Sequence, residues 1–305
     1  MPVNSFDELT RELRACALRS AAKKTVALVG ANDEHALEAV LAARDIMDAV
    51  LVGERTSIEE TLLALGSRRD AFEIVEPKAQ EHPSVAAAKL IHSGRADFLM
   101  KGKLMTGDLL KGVLLPEADL RKGSLMSHIA IFELPNYHKL LCVTDGGMCV
   151  EPELSEKAQI VRNAVDFFHG LGYNKPNIAA LCAAEAVSPK IKETVDAEAL
   201  ALMAGSGELG SCHLEGPISY DLAMDREAGQ VKGYHSEAAG EFDILLVPNL
   251  VSGNILGKCF ICNCGALMAG LILGAKMPIV LTSRGASAAE KLNSLALAAA
   301  LRAAD

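Results

Sequence analysis

Short apolar runs and longer amphipathic stretches alternate along the chain. The β-branched and apolar run at 25–29 ends at Gly30 and predicts a strand feeding a turn. Runs at 50–52, 72–75 and 98–100 predict three more strands. Between them, 34–47 and 82–94 carry Ala, Leu, Val and Ile at helical spacing. A first helix is expected over 6–22, capped by Asn4 or Ser5. Asp7 and Glu8 fall in its first turn, where negative charge suits the helix dipole. A second series starts near Val143 and is clearest after Glu151. Helices are expected over 155–171, 188–204, 255–273 and 287–303. Strands are expected over 177–181, 242–248 and 277–281, with a short strand or loop over 218–221. The repeated strand–loop–helix order predicts an α/β fold with a largely parallel sheet, arranged as two α/β domains. The irregular stretch IFELPNYHKLLCVTDGG at 131–147 places their boundary near 130–150.

Composition narrows the class. The chain has 305 residues, half of them apolar and 23% charged, which is enough to build a core and excludes general disorder. A net charge of -9 without a long basic run argues against nucleic acid and against an anionic membrane surface as partners. No apolar run reaches the ~20 residues of a membrane span. The polar, amphipathic start lacks the apolar core of a signal peptide, so a cytoplasmic location is expected, with eight reduced and mostly buried cysteines. Charge is uneven: Lys258, Lys276, Arg284, Lys291 and Arg302 face only Glu290 and Asp305 within 246–305. A basic, Gly-rich C-terminal part of an acidic protein suits an anion or is chance variation among surface residues.

Candidate chemistry gathers where strands are expected to end. Ligands of open α/β sheets collect at carboxyl ends of strands. The strand at 242–248 leads to Ser252, Gly253 and Asn254, with Lys258 one turn into the next helix. Gly253 would let backbone donors approach an anion; an ordinary turn with Asn254 as a cap is the alternative. The strand at 277–281 leads to Thr282, Ser283, Arg284 and Gly285. Arg284 offers a fixed fork of donors for phosphate, and Ser283 a hydroxyl donor. These two ends are expected to be adjacent and to converge on one anion. Ser287 and Glu290 have capping-box spacing; Glu290 is also a secondary acid/base candidate. Lys101, Gly102 and Thr106 follow the strand at 98–100 as a further anion site or an ordinary loop. Thr144, Asp145 and His128 line a cleft or make a turn and a satisfied histidine.

Other chemistries are disfavoured. Gly253 to Lys258 misses the phosphate-loop spacing by one residue, and no Gly-rich dinucleotide fingerprint follows the first strand. Cys259, Cys262 and Cys264 lack a second pair for a metal and are expected in a buried, small-residue helix. No GxSxG elbow is present.

Four motifs together carry a resemblance: LMKG at 99–102, LLCVTDGGMCVEPEL at 140–154, DILLVPNLVSGN at 243–254 and PIVLTSRGASAAEKLNSLALA at 278–298. In order and spacing the chain resembles the phosphate acetyl/butyryltransferase family, and is more similar to its butyryl branch. The resemblance implies two α/β domains with an interlobe cleft, similar to the isocitrate and isopropylmalate dehydrogenases. It implies a first domain of 1–142 completed by 280–305, a second of 143–279, and a homodimer or higher homo-oligomer.

The implied reaction is reversible transfer of a short acyl group between coenzyme A and inorganic phosphate, as in short-chain fatty acid metabolism. The family's serine–arginine pair falls on Ser283 and Arg284, and its acidic position on Glu290. Lys101, Gly102, Thr106, Thr144, Asp145, Ser252, Gly253, Asn254 and Lys258 are the expected substrate-binding residues. Acyl-CoA and phosphate are substrates, acyl phosphate a product, and no metal, redox cofactor or acyl-enzyme is required. Gly285 is more like the acetyl-type SRG, so acetyl and propionyl stay open beside butyryl. A dehydrogenase of similar fold and a non-catalytic CoA- or phosphate-binding regulator also stay open.

Overall fold

The computed structural model describes residues 3–19, 23–123, 125–283 and 285–301. Contacts divide the chain into two units, Phe6–Ser124 with Ala269–Ala300, and another centred on Leu125–Met268. The chain opens with α1 (Phe6–Arg19), β1 (Lys24–Val29), α2 (Glu34–Ala42), β2 (Met47–Val52) and α3 (Arg55–Ala64). β3 (Glu73–Val75), α4 (Pro83–His92), β4 (Phe98–Lys101) and α5 (Thr106–Leu114) follow. The middle contains β5 (Ser127–Glu133), β6 (Leu141–Thr144), α6 (Leu154–Gly170), β7 (Asn177–Leu181), α7 (Lys192–Gly205) and β8 (His213–Ile218). It continues through α8 (Tyr220–Met224), α9 (Arg226–Lys232), β9 (Ile244–Leu246) and α10 (Leu250–Cys264). The last elements are β10 (Leu267–Leu273), β11 (Ile279–Val280) and α11 (Ala288–Ala300).

In the first unit the strands run in the order β3-β2-β1-β4-β11-β10. All pairs are parallel except β10 with β11. β4 is buried along its whole length, which explains its uninterrupted apolar run up to Lys101. α11 packs on α1 and α2.

In the second unit the order is β5-β6-β9-β7-β8, parallel except β5 with β6. Phe132, Phe242 and Phe260 anchor its core, Phe132 and Phe260 meeting edge to face at 5.2 Å. A buried ion pair joins α6 to α7. Lys157 Nζ lies 2.7 Å from Asp196 Oδ2, and the more exposed Lys192 reaches the same oxygen at 2.7 Å.

Several sequence expectations need correction. The helix expected over 255–273 is α10 followed by the strand β10. Gly265, at φ +67°, ends the helix where an L side chain would be strained. The irregular stretch near 130–150 contains two buried strands, β5 and β6. α3 was not foreseen, and the segment at 218–221 runs from the end of β8 into α8. The part of the expected first helix beyond Arg19 reaches residues 20–22, which lie outside the described residues. The cysteines are not mostly buried. Cys259, Cys262 and Cys264 are exposed on α10, and Cys16 is exposed on α1. α10 buries only Gly253 and Phe260 fully, so its low charge reflects an apolar surface rather than a core position.

The Lys157–Asp196 pair gives a stability test. Burial raises the Asp196 carboxyl, but its bonds to Lys157 and Lys192 outweigh this, and its pKa lies below the usual value. Its contribution is therefore complete above the unfolded pKa and is lost as pH falls through the lowered folded one. Asp196→Asn leaves Lys157 buried without its carboxylate and should cost about 3 kcal/mol in urea unfolding at pH 7. That difference should shrink when wild type and variant are compared progressively below pH 4, in the usual carboxylate range.

Candidate active site

Parallel pairing fixes which chain segments meet beyond the strands. In the first unit Val280 of β11 lies opposite Met100 of β4. The Thr282–Ser283 segment therefore leaves the sheet beside the Lys101–Gly102 turn. Lys101 is 9% exposed, and its Nζ donates to Gly102 O and Leu104 O, both at 3.2 Å. It draws the turn closed over its own carbonyls. The Gly102 amide donates to Val29 O at 2.8 Å, and the Lys103 amide to Gly30 O at 2.7 Å. A Cβ at Gly102 would lie 2.2 Å from Gly30 O, so this strand end needs glycine for backbone to approach backbone. Thr106 is exposed and is the first residue of α5. Met105 holds the cap position without a side-chain bond, so Thr106 does not cap the helix.

At the end of β11, Ser283 is exposed. Its Oγ accepts from the Gly285 amide at 3.3 Å, and its carbonyl accepts from the Ala286 amide at 3.1 Å. Arg284 lies outside the described residues. Ser287 Oγ accepts from the Glu290 amide at 3.2 Å, so the serine half of the expected capping box is formed. Glu290 is half-buried in the first turn of α11. Lys291, which the sequence reading passed over, is 4% exposed and donates to Thr282 Oγ1 at 3.1 Å. A signal was present: Lys291 shares a helix stripe with Leu295 and Ala298, both buried.

The other strand-end cluster lies in the second unit, where Thr144 of β6 faces Leu246 of β9. Thr144 is fully buried, and its Oγ1 donates to His128 O at 2.9 Å. Asp145 is 2% exposed. One carboxylate oxygen accepts from the His128 amide at 2.7 Å, the other from the Gly147 and Met148 amides at 2.8 Å each. Three backbone donors bind this carboxylate, which organises the loop. His128 is buried with Nδ1 unpartnered; burial lowers its pKa and the Asp145 charge opposes that. Burial, then the Asp145 charge, pushes the nearby Cys149 thiol up to about 12, so it is a protonated, weak nucleophile at neutral pH.

Ser252, Gly253 and Asn254 lie inside α10 and not in a loop before it. Asn249 is the cap: its Oδ1 accepts from the Ser252 amide at 3.0 Å, and Ser252 Oγ turns back to Asn249. Gly253 is not open to a ligand. A Cβ there would lie 2.7 Å from Gly146 Cα, so its missing side chain admits the Asp145–Gly147 loop. Asn254 and Lys258 are exposed, and Asn254 Nδ2 donates to Gly146 O at 3.5 Å. Lys258 lies in the third turn, further along than expected. The SGN segment belongs to the second unit and Ser283 to the first, so the expected convergence on one anion is not found within either unit. β9 lies between β6 and β7, and β11 between β4 and β10. Among the described residues no group of three or more His, Cys, Asp or Glu is placed to hold a metal ion.

Comparison with known proteins agrees with the motifs. The phosphate acetyl/butaryl transferase family matches residues 78–299. Phosphate butyryltransferase of Clostridium acetobutylicum is 38% identical over 97% of this chain and 98% of its own. Phosphate acetyltransferase of Rhizobium meliloti is 37% identical over 93% and 90%. The crystal structure of a branched-chain phosphotransacylase from Enterococcus faecalis V583 superposes with a TM-score of 0.80 at 31% identity, covering 91% and 98%. The chain belongs to the phosphate acetyl/butyryl transferase family and is an acyltransferase of that family.

The expected isocitrate/isopropylmalate dehydrogenase-like fold is corrected by the same comparison. The fold follows the phosphotransacylases, including a phosphotransacetylase from Staphylococcus aureus at TM-score 0.80 and 20% identity. A 4-hydroxythreonine-4-phosphate dehydrogenase from Klebsiella pneumoniae reaches 0.57 at 12%. Strand–helix alternation is common to both groups and cannot choose between them. The TM-scores do, at 0.80 against 0.57.

The close backbone contact makes a direct prediction. Gly253→Ala must separate α10 from the loop after β6 and should cost about 2 kcal/mol in urea unfolding. An equal stability in the two proteins would show that the contact yields freely.

Proposed function

We propose that this chain transfers a short acyl group, butyryl preferred, from coenzyme A to inorganic phosphate at the carboxyl ends of β4 and β11. The observation that carries the reading is the parallel register that sets the Ser283 segment beside the Lys101–Gly102 turn. Ser283, Arg284 and Glu290 are the proposed catalytic residues. Lys101, Gly102 and Thr106 belong to the same strand-end cluster, while Asn254 and Lys258 are exposed on α10 of the other unit. Thr144, Asp145, Ser252 and Gly253 support structure rather than touch substrate, because their polar atoms or their space are already used.

Phosphate oxygen attacks the thioester carbonyl, the tetrahedral intermediate collapses, and the C–S bond breaks as the C–O bond of acyl phosphate is kept. The thiolate leaves and takes a proton from solvent or from phosphate. Arg284 screens the charge of phosphate, while Ser283 and backbone donors stabilise the oxygen that becomes negative. Holding both reactants together supplies much of the acceleration. In reverse, Glu290 receives the thiol proton.

A homodimer is part of the proposal. Val251 at 54% exposure and Ile255 at 64% form one stripe with the exposed Cys259 and Cys262 on α10, which is charged only at Lys258. An uncharged apolar stripe can meet its own copy without like-charge repulsion. A cytoplasmic location suits eight free cysteines. Among the described residues no helix is long and apolar enough to cross a membrane.

CoA release from butyryl-CoA should require phosphate and yield butyryl phosphate; equal release without phosphate would mean hydrolysis. Arg284→Lys should lower kcat/KM by about tenfold and Arg284→Ala by about a hundredfold or more, because the first keeps charge without the fork and the second loses both. Wild-type kinetics in a folded Arg284→Ala variant would remove this residue from the site. A panel of acetyl-, propionyl- and butyryl-CoA decides the chain length, the largest kcat/KM being expected for butyryl.

A further inference from the structure

We propose that Lys291 is a positioning residue for acyl transfer: its ammonium grips the Thr282 hydroxyl and so fixes the segment that presents Ser283. The inference rests on the role proposed above for Ser283.

Lys291 stands where a lysine is costly twice over. It is 4% exposed, although lysines ordinarily keep the ammonium in water. It also sits near the start of α11, the end of a helix whose dipole disfavours a cation. Leu295 and Ala298, on the same stripe, are buried and apolar. An apolar residue at 291 would suit the packing better, so stability alone does not account for lysine there.

Its partner is also unusual. Lys157, buried to a similar depth, has a carboxylate at 2.7 Å. Among the described residues Lys291 has no carboxylate within ion-pair distance. Its Nζ donates to a neutral hydroxyl, Thr282 Oγ1, at 3.1 Å. Thr282 is 6% exposed and lies past the end of β11, where ladder hydrogen bonds no longer hold the backbone. Among the described residues, the last sheet-side anchor is the Leu281 amide, which donates to Gly270 O at 3.2 Å.

The bond from Lys291 back to Thr282 closes the segment between the strand and the helix. Ser283 lies one residue inside that closure and is exposed. Without the clamp, Thr282 can rotate and carry the Ser283 hydroxyl away from the reacting oxygen. A positioned donor is worth most in the transition state, so the loss falls on kcat more than on substrate binding.

The test uses the full-length enzyme, with steady-state CoA release from butyryl-CoA at varied phosphate and thermal melting to check the fold. Lys291→Met and Thr282→Val should each lower kcat about tenfold or more while phosphate KM stays within about twofold. Thr282→Ser keeps the hydroxyl and should stay within about threefold of wild-type kcat. The double variant Lys291→Met/Thr282→Val should be no slower than the slower single, because both changes break one link. Wild-type kcat in folded Lys291→Met and Thr282→Val would overturn the proposal, as would fully additive losses or a lowered Tm with kcat unchanged. If Lys291→Met does not fold, the contrast of Thr282→Val with Thr282→Ser decides, and equal kcat in those two overturns it. Ser283→Ala separates the two readings. If it is slow while the Lys291 and Thr282 variants are normal, only the positioning role fails. If it turns over like wild type, the Ser283 reading fails and the role of Lys291 fails with it.

Discussion

The backbone contact between the ends of β1 and β4 sets the geometry of the first unit's strand ends. Gly102 hydrogen-bonds into Val29 and sits where any side chain would strike Gly30 O. This contact ends β4 as a tight turn instead of a loose loop, and Lys101 closes it from within. Because β11 is parallel to β4 and in register with it, the Ser283 segment must emerge alongside. The antiparallel β10 is what delivers the chain to β11 for that pairing. Parallel strand ends that lead into helix starts are a setting that favours anions.

The second unit repeats the device but spends it differently. Its glycine contact, Gly146 against Gly253, seals a loop whose carboxylate and threonine hydroxyl are fully used inside. The same residue types that signal chemistry in a sequence thus divide into exposed groups and internal fasteners. Ser283, with its hydroxyl exposed at a strand end, belongs to the first kind. Asp145, bound by three amides, belongs to the second.

That division marks how far the sequence could be read. β1 and β4 were legible because their apolar runs ended near Gly30 and Gly102, and β7 because its run followed Asn174 and Pro176. The four motifs were legible as a family pattern. β5 was hidden because Ser127 and His128 open it with polar residues that are nonetheless buried. The break between α10 and β10 was hidden because LMAGLIL has no periodicity that separates a buried strand from a helix. The roles of Gly253 and Lys291 depend on contacts with residues 107 and nine positions away in the chain, Gly146 and Thr282. Local spacing carries no trace of either partner.

The central claim is that phosphate is handled at the paired ends of β4 and β11. A crystal structure of the protein soaked with inorganic phosphate tests it most directly. The account predicts an ordered phosphate within hydrogen-bond distance of Ser283 Oγ and of the turn that follows Lys101. Ordered phosphate bound only elsewhere, with Ser283 left in solvent, would contradict it.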